Sequence, residues 1–126
     1  MEKLVREMLH EIIESKVYDE QFITTYFSSQ YVQVVNNTVL DFEGFKQHIK
    51  KLKEVVETIR LEILQTGVGK DCVFTKHKVE VILKDQSAHT YKVMAEFVFH
   101  EGKIIRCEEL TYLVEGEASY NLGAVV

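Results

Sequence analysis

Residues 89–114 read HTYKVMAEFVFHEGKIIRCEELTYLV. On both sides of Glu101-Gly102 the side chains follow a two-residue period, which is typical of β-strands. An acidic residue followed by glycine suits the tight turns of antiparallel hairpins, because those turns need left-handed backbone angles. The stretch therefore predicts two long strands, over 89–99 and 103–114, that pair with each other.

The segments before this hairpin also have strand patterns. Turn-forming residues bound one of them: Gly67 to Asp71 come before it, and Asp85-Gln86 follows it. Further upstream, Asn36-Asn37 separates two short β-rich runs. The additional strands are predicted over 31–35, 38–40, 60–67 and 72–83.

Three segments within the first 59 residues have the apolar spacing of amphipathic helices. Asp19 and Asp41 precede the second and the third and can cap them. The lysines at 46, 50, 51 and 53 lie mostly off the third apolar line, which predicts a solvent-exposed face. The apolar positions are Leu4, Val5, Met8, Leu9, Ile12 and Ile13; Phe22, Ile23, Tyr26 and Phe27; and Phe42, Phe45, Ile49, Leu52, Val55, Val56 and Ile59. This order predicts an α+β fold, with three N-terminal helices packed on a strongly bent, mainly antiparallel sheet.

Length and composition indicate a soluble, cytoplasmic protein. The 126 residues suit a single domain, expected over 1–115 with a C-terminal tail over 116–126. A formal net charge of −5 argues against a nucleic-acid partner. The N-terminus resembles no secretory signal, and the chain has no apolar run of membrane-spanning length. Cys72 and Cys107 have no metal-ligand spacing, and we expect both to be reduced.

Three local stretches resemble parts of the nuclear transport factor 2-like superfamily, in its SnoaL-like, ketosteroid isomerase-related branch. FSSQYVQ at 27–33 resembles the entry into that family's first strand. LDFEGFKQH at 40–48 resembles the start of its long helix, and FHEGKI at 99–104 resembles its last hairpin. The resemblance spans roughly residues 1–115. It implies a cone-shaped fold with a ligand-binding cavity inside.

The turns predict which residues share a face of the sheet. A two-residue loop at Glu101-Gly102 places Met94 opposite Glu109, and a symmetric Asp85-Gln86 turn places His77 opposite Met94. The family resemblance implies that Cys107, Glu109 and Thr111 point into the cavity. The predicted cavity face holds Val73, Thr75, His77, Val79, Lys92, Met94, Glu96, Val98, Ile105, Cys107, Glu109 and Thr111. The predicted outer face holds Phe74, Lys76, Lys78, Glu80, Tyr91, Val93, Ala95, Phe97, Phe99, Ile104, Arg106, Glu108, Leu110 and Tyr112.

For two enzymes of the family that this chain resembles, key catalytic residues are missing from the sequence. Where ketosteroid isomerase has its general base, this sequence has Val34 or Val35, and Met94 stands where that enzyme has its oxyanion-binding acid. The arginine and the second aspartate of limonene epoxide hydrolase have no counterparts on the strand over 72–83. Glu109 does lie where that hydrolase has an active-site carboxylate. We therefore expect neither of these two activities.

The predicted site combines acid–base and ligand-binding residues. We expect Glu109, His77 and Glu96 to be catalytic, with Glu96 and Glu109 titrating as a coupled pair. The expected ligand-binding residues are His48, Gln33, Tyr31, Met94, Cys107 and Thr75. Structural roles stay open as alternatives: His48 and His77 as hydrogen-bonded core histidines, and the two glutamates as an incidental pair. His10, His89 and His100 are expected at the surface.

Metal and nucleophilic chemistry are weaker alternatives. His48, His77 and a glutamate could form a two-histidine, one-carboxylate site, but they come from distant segments without a local spacing motif. The chain has no Gly-x-Ser-x-Gly, and only a distant histidine could serve Cys107 as a base. We expect neither a metal nor a cofactor.

Three functions remain open at this point. The chain is an isomerase, cyclase, dehydratase or hydrolase for a small apolar molecule with a polar group, or a non-catalytic binder of such a molecule. The third option is a protein-association module that uses the open sheet face. The predicted outer face carries so much apolar surface that we also expect a homodimer formed through it.

Overall fold

The computed structural model describes residues 1–116. The predicted tail over 116–126 lies outside the described residues except for Gly116, which forms an exposed bend after the last strand. No helix within the described chain is long and apolar enough to cross a membrane.

The chain forms helices first and a long meander afterwards, which confirms the predicted α+β class. Helix α1 continues directly into a π-helical segment, and Asp19 and Asp41 accept backbone N–H groups at the starts of α2 and α3. The helices are α1 (Glu2–Met8), the π-helical segment (Leu9–Glu14), α2 (Glu20–Tyr26) and α3 (Phe42–Val55). The strands are β1 (Phe27–Val35), β2 (Thr38–Asp41), β3 (Val56–Val68), β4 (Cys72–Leu83), β5 (Ala88–His100) and β6 (Lys103–Glu115).

The six strands form one sheet in the order β2-β1-β6-β5-β4-β3. Only β1 and β6 run parallel, and every other neighbouring pair is antiparallel. Apolar side chains from the helices pack with one face of the sheet into a single core. We call this the inner face, and the opposite side of β3–β6 the outer face.

Two predictions about the third helix were wrong. The helix ends at Val55 rather than Ile59, and Val56 begins β3 opposite Leu83. The β-branched residues at this junction favour a strand over a helix. Lys53 does not lie on a solvent-exposed face, because its ammonium group contacts backbone carbonyl oxygens of the π-helical segment and the loop after it.

The predicted register was wrong by one residue at both hairpins. His77 faces Val93, and Glu109 faces Ala95, where Met94 was expected in both cases. At the first hairpin, Leu83 donates its N–H to the carbonyl oxygen of Ser87, which closes a three-residue loop. The last residue of that loop, Gln86, has φ 73°, the left-handed angle typical of such loops.

The second slip comes from a β-bulge next to the Glu101-Gly102 turn. Phe99 pairs with Ile104, but Val98 pairs with Arg106, so Ile105 is the extra residue. The two slips cancel between β4 and β6. The residues of β4 therefore keep their predicted faces, and so do the residues of β6 from Cys107 onward. Strand β5 has its faces exchanged, and so does Ile104, which precedes the bulge on β6. Buried His89, Tyr91, Val93, Ala95 and Phe97 belong to the inner face, as do Phe99 and Ile104, whereas Lys92, Met94, Glu96 and Val98 belong to the outer face.

Candidate functional site

A small cavity lies between the helices and the inner face of the sheet. It measures about 10 Å³, which is roughly the space that one water molecule needs. Its polar wall consists of Tyr31, Gln33, Cys107 and Glu109 on the neighbouring strands β1 and β6. The apolar lining residues are Met8, Leu9, Ile13, Phe27, Phe45 and Phe97.

Glu109 is the acidic residue of this cavity. Its side chain is only 4% exposed, and burial raises the pKa of its carboxyl group to about 8. Thr111 lies close enough to interact with that carboxyl, but its Oγ1 is buried and makes no hydrogen bond of good geometry to the described residues. At neutral pH Glu109 is therefore mostly a neutral acid that can donate a hydrogen bond.

Tyr31 and Gln33 form a polar pair beside Glu109. The Tyr31 hydroxyl donates to Oε1 of Gln33 at 2.9 Å, and both side chains are buried. The pKa of Tyr31 is raised well above its ordinary value. Burial is the main cause, and the nearby Cys107 and Glu109 add to it. Burial also raises the pKa of Cys107, so this thiol stays protonated and is a poor nucleophile.

Thr75 and His77 form a second buried pair on β4. Thr75 Oγ1 and His77 Nδ1 are 3.0 Å apart, within hydrogen-bond distance. Thr75, Ala95 and Glu109 lie in one row across β4, β5 and β6. Two strand spacings, about 10 Å, thus separate the backbones of Thr75 and Glu109, and the small Ala95 lies between them.

Comparison with known proteins identifies the fold. No family model matches the chain. An uncharacterized protein of Schizosaccharomyces pombe is 27% identical over 108 residues, which cover 85% of this chain and 83% of the yeast protein. A protein of unknown function from Exiguobacterium, described as nuclear transport factor 2-like, superposes with a TM-score of 0.71 at 16% identity, over 85% of this chain and 97% of its own. The chain has the nuclear transport factor 2-like fold.

An enzyme with a similar structure is an LEH-like epoxide hydrolase from Mycobacterium tuberculosis. It superposes with a TM-score of 0.72 at 12% identity, and the match covers 87% of this chain and 80% of the hydrolase. At these identities the likeness establishes the nuclear transport factor 2-like fold and leaves the activity to be argued from this chain's own residues. The predicted resemblance is thereby confirmed at the level of the fold.

Glu96 and Met94 do not belong to the inner cavity. Both lie on the outer face, because the two register slips exchange the faces of β5. The sheet separates Glu96 from Glu109, so the prediction that they form a coupled pair inside the cone was wrong. The pKa of Glu109 is raised mainly by burial.

The other histidines differ in how deeply they are buried. His48 lies half-buried on α3 and does not line the cavity, and burial with the nearby Lys51 lowers its pKa. His10 and His100 are exposed, as predicted. The prediction of a surface position for His89 was wrong: it is 1% exposed and lies 3.0 Å from Ser87 Oγ, because β5 turns this side chain inward.

The apolar part of the cavity wall was not predictable from the sequence. Met8, Leu9, Phe27 and Phe45 were recognised only as apolar residues of helices, and the periodicity that places them in the core does not show which of them border a cavity. Phe97 was assigned to the outer face through the register slip. Within residues 1–116, no group of three or more His, Cys, Asp or Glu side chains is arranged to hold a metal ion.

Proposed function

We propose that the inner cavity binds a small, mostly apolar molecule with one polar group, and that Glu109 meets this group as a neutral acid. The observation that carries the proposal is the burial of Glu109 beside the cavity, with a pKa of about 8. Such a carboxyl is mostly protonated at pH 7. It therefore donates a hydrogen bond at a pH where exposed glutamates only accept one.

The residues around Glu109 suit acid–base chemistry on a bound molecule. A neutral carboxylic acid can give its proton to a ligand oxygen, as an isomerase, cyclase, dehydratase or hydrolase requires. Tyr31 and Gln33 would orient the polar group of the ligand. His77 on β4 is the candidate proton acceptor; it does not line the cavity at its present size, so a ligand would have to enlarge the cavity to reach it. A non-catalytic binder would use the same residues for affinity alone.

Ligand binding requires the cavity to enlarge. Its present volume holds about one water, so a larger molecule has to displace lining side chains. Met8 is suited to such movement, because its unbranched side chain has three rotatable bonds. The ligand is therefore small, and its apolar part contacts Met8, Phe45 and Phe97.

Two probe molecules, cyclohexanone and phenol, test this proposal. Both have an apolar ring and one oxygen. We expect them to shift the backbone amide signals of Gln33, Cys107 and Glu109 in NMR spectra at pH 6.5. Glu109→Gln should change the affinity for cyclohexanone, and Glu108→Gln on the outer face should leave it unchanged. Binding that is absent for both probes, or equal in both variants, would contradict the proposal.

A second candidate function is association through the outer face. Phe74, Met94 and Leu110 are 47%, 55% and 66% exposed there. They line a hollow of about 360 Å³ together with Glu96 and Glu108. Exposed apolar surface of this kind is typical of interaction sites. We propose a homodimer formed through this face, and sedimentation equilibrium that finds only a 14.7-kDa monomer would contradict it.

We also propose a cytoplasmic location without a nucleic-acid partner or a cofactor. The acidic net charge and the two free cysteines support this assignment. A fluorescent fusion that accumulates outside the cytoplasm would contradict it.

A further inference from the structure

Asn36, in the turn after β1, binds the backbone of β6 with its side chain. Its Nδ2 donates to the carbonyl oxygen of Thr111 at 2.7 Å, and its Oδ1 accepts from the N–H of Thr111 at 3.0 Å. The backbone N–H of Asn36 donates to the carbonyl oxygen of Glu109 at 3.1 Å. The side-chain amide therefore pairs with Thr111 as the peptide group of a neighbouring strand would.

These bonds extend a short pairing of β1 with β6. The pairing is irregular before Val32, and its last pair is Val35 with Glu109. Parallel pairing of this kind is also slightly less stable per residue than antiparallel pairing. After Val35 the chain turns back into β2, which lies on the other side of β1 from β6. The Asn36 side chain therefore supplies the buried Thr111 with the partner that a longer β1 would have supplied.

The backbone of the turn does not by itself account for this side chain. Asn36 and Asn37 have φ 47° and 76°, left-handed angles that asparagine and glycine adopt more readily than other residues. Both residues are exposed. Among the described residues, the Asn37 side chain finds no hydrogen-bond partner, whereas the Asn36 amide uses both its donor and its acceptor on Thr111. Conformation explains an asparagine at either position, but the bonds to β6 are specific to Asn36.

We infer that Asn36 is a positioning residue for Glu109, because it holds β6 against β1 at the point where Glu109 points into the cavity. This inference rests on the proposed function, in which Glu109 is the acid of the site. Gln33 belongs to the polar wall of the cavity on β1, so the fit of β6 against β1 sets how the Glu109 carboxyl lies beside it. The same fit keeps water away from the carboxyl.

Asn36→Gly and Asn37→Gly form a matched pair for the test. Glycine keeps the left-handed backbone at both positions, and only Asn36→Gly removes hydrogen bonds to β6. Burial raises the pKa of Glu109, so water that enters in Asn36→Gly should lower this pKa by at least about one unit. The amide hydrogen of Thr111 should exchange at least about tenfold faster. Asn37→Gly should change neither property. Carboxyl-carbon NMR titration and amide hydrogen exchange measure them, and circular dichroism verifies folding.

Asp19→Ala separates positioning from a general loss of stability. Asp19 caps α2 by accepting from the N–H groups of Gln21 and Phe22, and no residue of α2 lines the cavity. Removal of such a cap destabilises a folded chain. Asp19→Ala should therefore lower the midpoint of urea denaturation and leave the pKa of Glu109 unchanged. If this pKa falls as far in Asp19→Ala as in Asn36→Gly, the positioning role is overturned.

Cyclohexanone binding connects this role with the proposed function. Asn36→Gly should weaken the binding at least about threefold at pH 6.5, because the donor carboxyl is no longer held in place. If the wild type binds no cyclohexanone, but Asn36→Gly still lowers the pKa of Glu109, the proposed function fails and the positioning role stands. An unchanged pKa of Glu109 in folded Asn36→Gly overturns the positioning role, even if the Thr111 amide exchanges faster, and leaves the cavity proposal to its own test. Ordinary titration of Glu109 in the wild type overturns both.

Discussion

The carboxyl of Glu109 makes the stability of the whole fold depend on pH. Its pKa is about 8 in the folded chain, because burial disfavours the charged form, whereas its ordinary value is 4.5. Between these pH values the folded chain holds a proton that the unfolded chain has released. The contribution to stability is complete below pH 4.5 and is lost as the pH rises to about 8. Over the whole interval the loss is on the order of 5 kcal/mol.

Glu109→Gln removes this titration while keeping the size of the side chain. We expect the free energy of unfolding of the wild type to fall relative to that of Glu109→Gln between pH 5 and pH 8. Urea denaturation at four pH values in this range measures the difference. Glu108→Gln is the control, because Glu108 is exposed, and it should follow the wild type. Parallel curves for wild type and Glu109→Gln would show that Glu109 titrates as an ordinary exposed carboxyl.

Among the secondary-structure elements, the sequence predicted which segments form helices and strands, but not where α3 ends. The apolar spacing of α3 continues through Val56 and Ile59, so periodicity alone extends the helix. Val56 instead pairs with Leu83 in the sheet. The β-branched residues after Lys53 favour a strand, and pairing with the distant Leu83 decided the boundary against the apolar period.

The registers were unpredictable for two specific reasons. Gln86 has a left-handed backbone without being a glycine, so nothing in its side chain indicated a three-residue loop. Ile104 and Ile105 are both apolar, so the pattern did not show which of them a bulge would displace. The family resemblance placed Cys107 and Glu109 on the inner face, and Thr75 and His77 on β4 were correctly given the same face because the two slips cancel. Glu96 was assigned to the wrong face because β5 lies between the two slips, so only one of them shifts it.

Lys53 connects α3 with the π-helical segment. Its Nζ donates to the carbonyl oxygen of Ile13 at 2.7 Å and also to that of Ser15, and burial lowers its pKa to about 8. Lys53→Met keeps the apolar stem but removes the donors. We expect the free energy of unfolding to fall by about 1–3 kcal/mol at pH 7. In chemical denaturation, Lys50→Met should stay within about 0.5 kcal/mol of the wild type, since Lys50 is exposed. Equal effects of the two substitutions would contradict this role.

On the scale of the whole molecule, the sheet separates the two proposed sites. Glu109 points into the cavity, and Leu110, the next residue of β6, points to the outer face and is 66% exposed. Successive residues of a regular strand face opposite sides, so this part of β6 serves both sites without direct contact between their side chains. Within residues 1–116 the helices cover only the inner face, which leaves the outer face open to the second copy of the proposed dimer.

We therefore expect the two sites to respond independently to substitution. Glu109→Gln should alter the pH dependence of stability and leave the dimer dissociation constant within about threefold of the wild-type value. Leu110→Glu should abolish the dimer, while Glu109 still titrates well above its ordinary pKa, because an additional nearby carboxylate can only raise that pKa. Sedimentation equilibrium and carboxyl-carbon NMR titration measure the two properties on the same samples. If Glu109 titrates normally in the folded Leu110→Glu monomer, the substitution on the outer face has opened the inner cavity to water, and the two sites are not independent.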